Sequence, residues 1–202
     1  MDEEVPEPQT FRLKHALSVC LVALCAAATA KVSLVSLENT ITPEAIVVHH
    51  SGINAETNDE AVHAVDIARW HRERGLTSFY WGRSFNAGYH YVVEPDGHVV
   101  RTRPENCIGA HVRGHNDSLG ICVIGYFDST VRAENRPSDD QLRALTDLTV
   151  EIMRRRHWGA SHLVRHSDLN PDTECPGQDF PWATFVENVL SRVSARGSEG
   201  SP

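Results

Sequence analysis

The chain has 202 residues, 41% hydrophobic and 23% charged, the balance of a folded globular protein of one domain plus tails rather than of a disordered one. Its 27 acidic residues outnumber 19 basic ones, a net charge of −8, and the nearest approach to a basic cluster is Arg154-Arg155-Arg156 inside a helical pattern. A nucleic-acid partner is thereby excluded, because phosphate binding needs a clustered basic face.

At the N-terminus, a polar segment ending in Arg12 and Lys14 precedes an apolar run from Ala16 to Ala30, with Ala28-Thr29-Ala30 as a small-x-small cleavage pattern. Fifteen residues are short for a permanent membrane span, so residues 1–30 read as a signal peptide or, failing cleavage, an N-terminal anchor. Removing them takes away four acids and two bases and leaves the chain acidic. Residues 31–42 read as a linker, 43–193 as the single folded domain and 194–202 as a disordered tail.

Within the domain, "EAIVVHHSG" from Glu44 to Gly52 is a β-branched run ending in glycine, hence a strand. Thr57 with Glu60 has the spacing of a capping box and predicts a helix whose apolar face carries Ala61, Ala64, Val65, Ala68 and His71, stopped by Gly75. "LTSFYWGRSFNAG" reads as an aromatic loop, and "YHYVVEPDGHVVRTR" as a hairpin turning at Pro95-Asp96-Gly97. The near-continuous apolar run "SLGICVIGYF" predicts a central strand buried on both faces. Ser138 with Gln141 starts a helix with Leu142, Leu145, Thr149, Ile152 and Met153 on one stripe. "ASHLVRHSD" reads as a further short strand, and "FPWATFVENVLSRV" as a last helix that buries Trp182, Phe185, Val186 and Val189. These elements predict an α/β fold, a single central mixed sheet flanked by helices.

Five cysteines do not make a disulfide framework: Cys20 and Cys25 lie in the leader, which leaves an odd number. Cys107 and Cys122 could bridge, but Cys122 sits in an apolar strand, where a thiol usually acts as a small hydrophobe. The chemistry-bearing residues are His49 and His50 at the end of one strand, His166 at the end of another, and Cys175 after a proline-containing loop. Side chains alternate across a strand, so only one of His49 and His50 faces a given site. Two imidazoles and a thiolate suit Zn²⁺ and leave its fourth position open. On spacing alone, a core histidine and a buried thiol account for the same residues.

Five segments in this order, "IVVHHSG", "RWHRERG", "AGYHYVVEPDGHV", "IGAHVRGHNDSLGICVIG" and "HSDLNPDTECPG", resemble the zinc N-acetylmuramoyl-L-alanine amidases, the family of phage lysozyme-type amidases and peptidoglycan recognition proteins. The resemblance spans roughly residues 43–190 and implies the peptidoglycan recognition protein-like fold. It implies one Zn²⁺ held by His49, His166 and Cys175, with His50 turned away. It implies Tyr89 beside the metal-bound water, Tyr89 and Thr173 as catalytic groups that position that water or hydrogen-bond the tetrahedral oxyanion, and His71 and His111 along the substrate groove. Cys122 stands where the cytosolic recycling amidases of the same superfamily carry a glutamate, so this chain resembles the phage and recognition-protein branch.

The implied reaction is hydrolysis of the amide between N-acetylmuramic acid and L-alanine. Zinc chemistry suits it, because the ion lowers the pKa of a bound water toward about 7 and polarises the scissile carbonyl. The expected partner is peptidoglycan or a released muropeptide. The expected protein is an exported monomer, periplasmic or secreted, touching a membrane only through an uncleaved N-terminal segment. Two other readings compete: a non-catalytic peptidoglycan-binding module of the same fold, and a Cys-His hydrolase with Cys175 as nucleophile.

Overall fold

The computed structural model of the chain describes residues 10–53, 56–57, 60–128 and 136–195. Helix α1 spans Thr10–Glu38 and leads to strand β1, Ile46–His50. A two-stranded ribbon, β2 (Glu56–Thr57) and β3 (Glu60–Ala61), precedes helix α2, Ala64–Glu73. Two hairpins follow, β4 (Ser78–Tyr80) with β5 (Arg83–Phe85), then β6 (Tyr91–Val93) with β7 (Val99–Arg101). Strand β8, Leu119–Val123, is followed by helix α3, Asp139–Arg156. A 3₁₀ turn at Ala160–His162, strand β9 (Leu163–Arg165), the single-turn α4 (His166–Leu169) and helix α5 (Trp182–Ala195) complete the chain.

Five strands form one mixed sheet in the order β7-β6-β8-β1-β9, parallel throughout except for the β6–β7 hairpin. Every residue of β8 is buried, as its unbroken apolar run requires of a strand covered on both faces. Alternation along the strands sorts the two faces. Ile46, Val48, Tyr91, Val93, Leu119, Ile121 and Val123 pack with Leu145, Ile152 and Met153 of α3 and Phe185 and Val189 of α5. Val92 and Cys122 face the other way and pack with Ile67 of α2, Val62 and Ile124. His49 is in register with Cys122, which places it on the α2 face at the C-terminal end of β1. That end of the parallel strands is where open α/β sheets hold ligands.

The mixed α/β architecture matches the sequence pattern, and several local features differ from it. The helix expected from Thr57 starts at Ala64, because the residues before it pair as β2 and β3 and the Asp66 carboxylate accepts the His63 backbone N–H at 3.0 Å. The aromatic loop is the β4–β5 hairpin, whose turn residues Trp81 and Gly82 both have left-handed backbones (φ 46° and 76°), the two-residue turn that matches strand twist. The strand expected over "ASHLVRHSD" is only Leu163–Arg165, since β1 offers it three pairing residues and His166 already starts α4. Residues 31–38 of the expected linker continue α1, and Thr40 bridges to Cys107. Cys107 and Cys122 are buried and unpaired. Of the expected tail, Ser194 and Ala195 end α5, and residues 196–202 lie outside the described residues.

Candidate metal centre and active site

His49 is 1% exposed, and its ring is surrounded by those of His166, His111 and Tyr89 at centroid separations of 4.6, 5.0 and 5.1 Å. One ligating atom each from His49, His166 and Cys175 lie within 4.8 Å of one another, and among the described residues no other group of His, Cys, Asp or Glu has such spacing. His166 comes from the first residue of α4, just past β9 beside β1. The Ser167 N–H donates to the Cys175 carbonyl at 2.9 Å, which folds the "HSDLNPDTECPG" loop back and brings its sulfur to the strand. His50 turns to the opposite face, where its ring stacks on Tyr126 at 5.3 Å and its Nδ1 accepts the Phe127 N–H at 3.3 Å.

The donor set fits zinc. The Cys175 Sγ lies 3.9 Å from the His49 Nδ1. Tetrahedral bonds of about 2.1 Å to nitrogen and 2.3 Å to sulfur put such a pair about 3.6 Å apart. Burial, with the neighbouring His111 and His166, holds His49 well below the usual histidine range, and burial lowers His166 as well. Neutral imidazoles are the form that ligates. Burial pushes the Cys175 thiol up to about 12, despite the His50 backbone N–H donating to it.

Which nitrogen of His49 faces the sulfur is decided two residues away. The Ser118 carbonyl can only accept, so the His111 Nε2, 3.1 Å from it, carries the proton. Burial, with His90 adding to it, lowers His111 to about 3, so the ring is neutral and its Nδ1 is an acceptor. His49 Nε2 then donates to it at 3.0 Å and leaves the Nδ1 lone pair directed at Cys175. Both ring nitrogens of His111 are thus engaged within the protein. Gly109 and Gly120 make room for the ring: a Cβ on either would lie 2.5 or 2.7 Å from a His111 ring carbon.

His71, in the last turn of α2, accepts the Gly88 N–H on Nδ1 at 2.8 Å, and its ring lies 5.1 Å from Tyr89. Burial, then Arg74 and Arg103, lowers it to about 4, so it is neutral with Nε2–H as its remaining donor. Burial, with the Cys122 and Cys175 sulfurs behind it, holds the Tyr89 phenol well above the usual range, so its hydroxyl stays protonated. The Thr173 hydroxyl accepts the Cys175 N–H at 3.2 Å and retains its own proton to donate.

Three further residues build the site with no clear sequence signal. Asn116 accepts the backbone N–H groups of His111 and Val112 at 2.8 and 3.0 Å and shapes the loop that carries His111. His90, fully buried, bonds the Cys107 carbonyl at 2.8 Å and accepts the Gly120 N–H at 3.1 Å. Arg103 is 1% exposed, and its guanidinium donates to the carbonyls of Ala87 (2.6 Å), Phe85 and Ile108 and to the Ser78 hydroxyl, tying the β4–β5 hairpin to the segment before Tyr89. The motif order pointed to the three clustered donors; these supports are set by loop conformation. A cavity of about 470 Å³ between α4 and α5 is lined by Arg165, Ser167, Glu174 and Trp182 but by none of the ligand residues, so it is separate from this centre.

The sequence pattern of the N-acetylmuramoyl-L-alanine amidase family matches residues 39–178. The chain is 34% identical over 148 residues to an endolysin of Klebsiella phage KP32, covering 72% of this chain and 89% of that protein. Among solved structures, it is similar to the N-acetylmuramoyl-L-alanine amidase LysC from Clostridium intestinale URNW, with a TM-score of 0.58 and 30% identity over 74% of this chain and 86% of that one. Drosophila peptidoglycan recognition protein SD shares the fold, with a TM-score of 0.56 at 20% identity over 72% of this chain and 82% of that one.

Proposed function

The chain belongs to the N-acetylmuramoyl-L-alanine amidase family and is an amidase acting on peptidoglycan, and from that premise we propose that it cleaves the bond between N-acetylmuramic acid and L-alanine with one zinc ion held by His49, His166 and Cys175. The observation that carries this reading is the convergence of one donor atom from each of these residues within 4.8 Å, although Cys175 lies 126 positions from His49 in the chain. Bound there, zinc would supply a water of lowered pKa and polarise the scissile carbonyl.

The chain's own groups supply the rest. Tyr89 is a protonated phenol beside the centre and donates a hydrogen bond to the oxygen on which charge develops, a contact of the kind worth about 3–4 kcal/mol. The Thr173 hydroxyl, anchored by the Cys175 N–H, is a second donor. His71, with Nε2–H as its remaining donor and its ring beside Tyr89, contacts substrate. His111 orients His49 instead of touching substrate. None of these side chains is a base poised near neutrality. A thiol held at about 12, among imidazoles that stay neutral and supply no charge to stabilise a thiolate, argues against a nucleophilic role for Cys175. The polar leader with Arg12 and Lys14 before an apolar run supports export to the cell wall.

The test is release of new L-alanine amino termini from purified peptidoglycan by the full chain in mild detergent. Chelation is expected to abolish release, zinc to restore it, and Cys175→Ser to remove both activity and tight zinc binding. Release indifferent to chelation would sink the zinc reading, and binding without release would make the protein a recognition module.

A further inference from the structure

We propose that α1 is retained as a membrane-spanning anchor and that the Trp81–Gly82 turn seats the catalytic domain against the lipid surface. The inference stands apart from the zinc reading. Within α1, Cys20–Glu38 is apolar enough to cross a bilayer, and only 6% of that stretch is buried by the rest of the chain. A helix apolar on all sides is either a core helix or a membrane span, and this one is not in a core. From Ala16 to Leu37 it rises about 33 Å at 1.5 Å per residue, against about 30 Å of hydrocarbon. Lys31, the charged residue in that stretch, can snorkel to the interface.

A removable leader would look the same by composition. What separates the two is the far end of the helix, which is built into the domain. α1 continues unbroken past Ala30 to Glu38. Ser36 is fully buried, donates to the Val32 carbonyl at 2.8 Å, and its Oγ accepts the Trp81 N–H at 2.7 Å. Asn39 donates from its side chain to the Phe79 carbonyl at 2.7 Å and accepts the Ile108 N–H at 2.8 Å. Cleavage after Ala30 needs the Ala28–Ala30 turn unwound into an extended strand. It would leave the docked turn on an eight-residue stub, too short to hold helix by itself.

The junction also carries its own lipid-facing surface. Leu34, Leu37 and Trp81 are 62%, 64% and 58% exposed, and the Trp81 backbone is bonded to the turn that carries both leucines. They extend the apolar surface of the helix onto the tip of the β4–β5 hairpin, at the height where tryptophan is enriched in spanning proteins. Arg12 and Lys14 on the other side set the N-terminus in the cytoplasm and the catalytic domain outside, the compartment of its substrate.

The full chain expressed in a bacterial host is expected in the carbonate-washed membrane fraction with residues 1–30 intact by mass. In phosphatidylethanolamine–phosphatidylglycerol vesicles, brominated acyl chains should quench its fluorescence, and Trp81→Phe should remove at least half of that quenching. A mature chain beginning at Lys31, or carbonate-soluble protein, overturns the anchor; quenching unchanged by Trp81→Phe overturns the seating of the turn. Neither readout depends on activity, so failure here is distinct from failure of the amidase mechanism.

Discussion

His111 shows how much of the candidate metal centre is decided outside its three donor residues. The Ser118 carbonyl fixes its tautomer, which fixes that of His49, which leaves a lone pair facing Cys175. Partners of this kind hold a ligand's orientation and are worth about 10–100-fold in metal affinity. His111→Ala is therefore expected to weaken zinc binding by about that factor in a chelator competition, with activity recovering at high zinc. A raised KM with unchanged zinc affinity would assign His111 to the substrate instead. The donor cluster was legible because His49, His166 and Cys175 sit in distinctive segments in a fixed order. The role of His111 was not, because a histidine in a loop has two nitrogens and the sequence does not say what each meets.

At the scale of elements, β8 is more than a buried strand. Gly120 faces the α2 side with nothing beyond its Cα, and the His111 ring fills that space: an added Cβ would lie 2.7 Å from Cδ2 and Cγ. Gly120→Ala must push the imidazole aside. We expect a loss of about 1–3 kcal/mol in stability together with a zinc affinity at least tenfold weaker, measured by urea unfolding and chelator competition on the same variant. An alanine that lowers stability and leaves zinc affinity intact would show that the ring moves without consequence. The strand itself was legible from its apolar run, as was α3 from Ser138 and Gln141, whose side chains cap one another's backbone N–H at 3.1 Å. The start of α2 was not. Thr57 and Glu60 offered a better cap by residue type, but the ribbon of β2 and β3 claimed their backbone, and Asp66 caps a histidine instead.

Across the whole molecule, Glu105 joins the end of α3 to the sheet. It is 7% exposed and accepts from Arg155 at 2.7 Å, from Tyr91 at 2.7 Å and from Arg156. Burial alone would raise its carboxyl, but the hydrogen bonds from Arg155, Arg156 and Tyr91 outweigh it and hold it down at about 2. An unfolded glutamate titrates near about 4.3, so the stability it contributes is present above that pH and is lost as the pH falls toward 2. Glu105→Gln should be less stable by about 1–3 kcal/mol at pH 7, and the gap in urea midpoint should close as the pH falls from about 4 to about 2; a constant gap would rule out the linkage. The mixed sheet was legible as a class, whereas its strand order was not, because pairing is decided by partners far apart in the chain. That order has a consequence in time. β1 lies between β8 and β9, so the strand carrying His49 has no neighbour until more than sixty further residues have been made, and the donor cluster lacks its sulfur until Cys175 arrives. A ribosome or translocon delivers the first ligand early and the last one late, and loop closure over such distances is slow. An unfinished chain is therefore an inert chain, and hydrolysis begins only once the whole domain has cleared the machinery that made it.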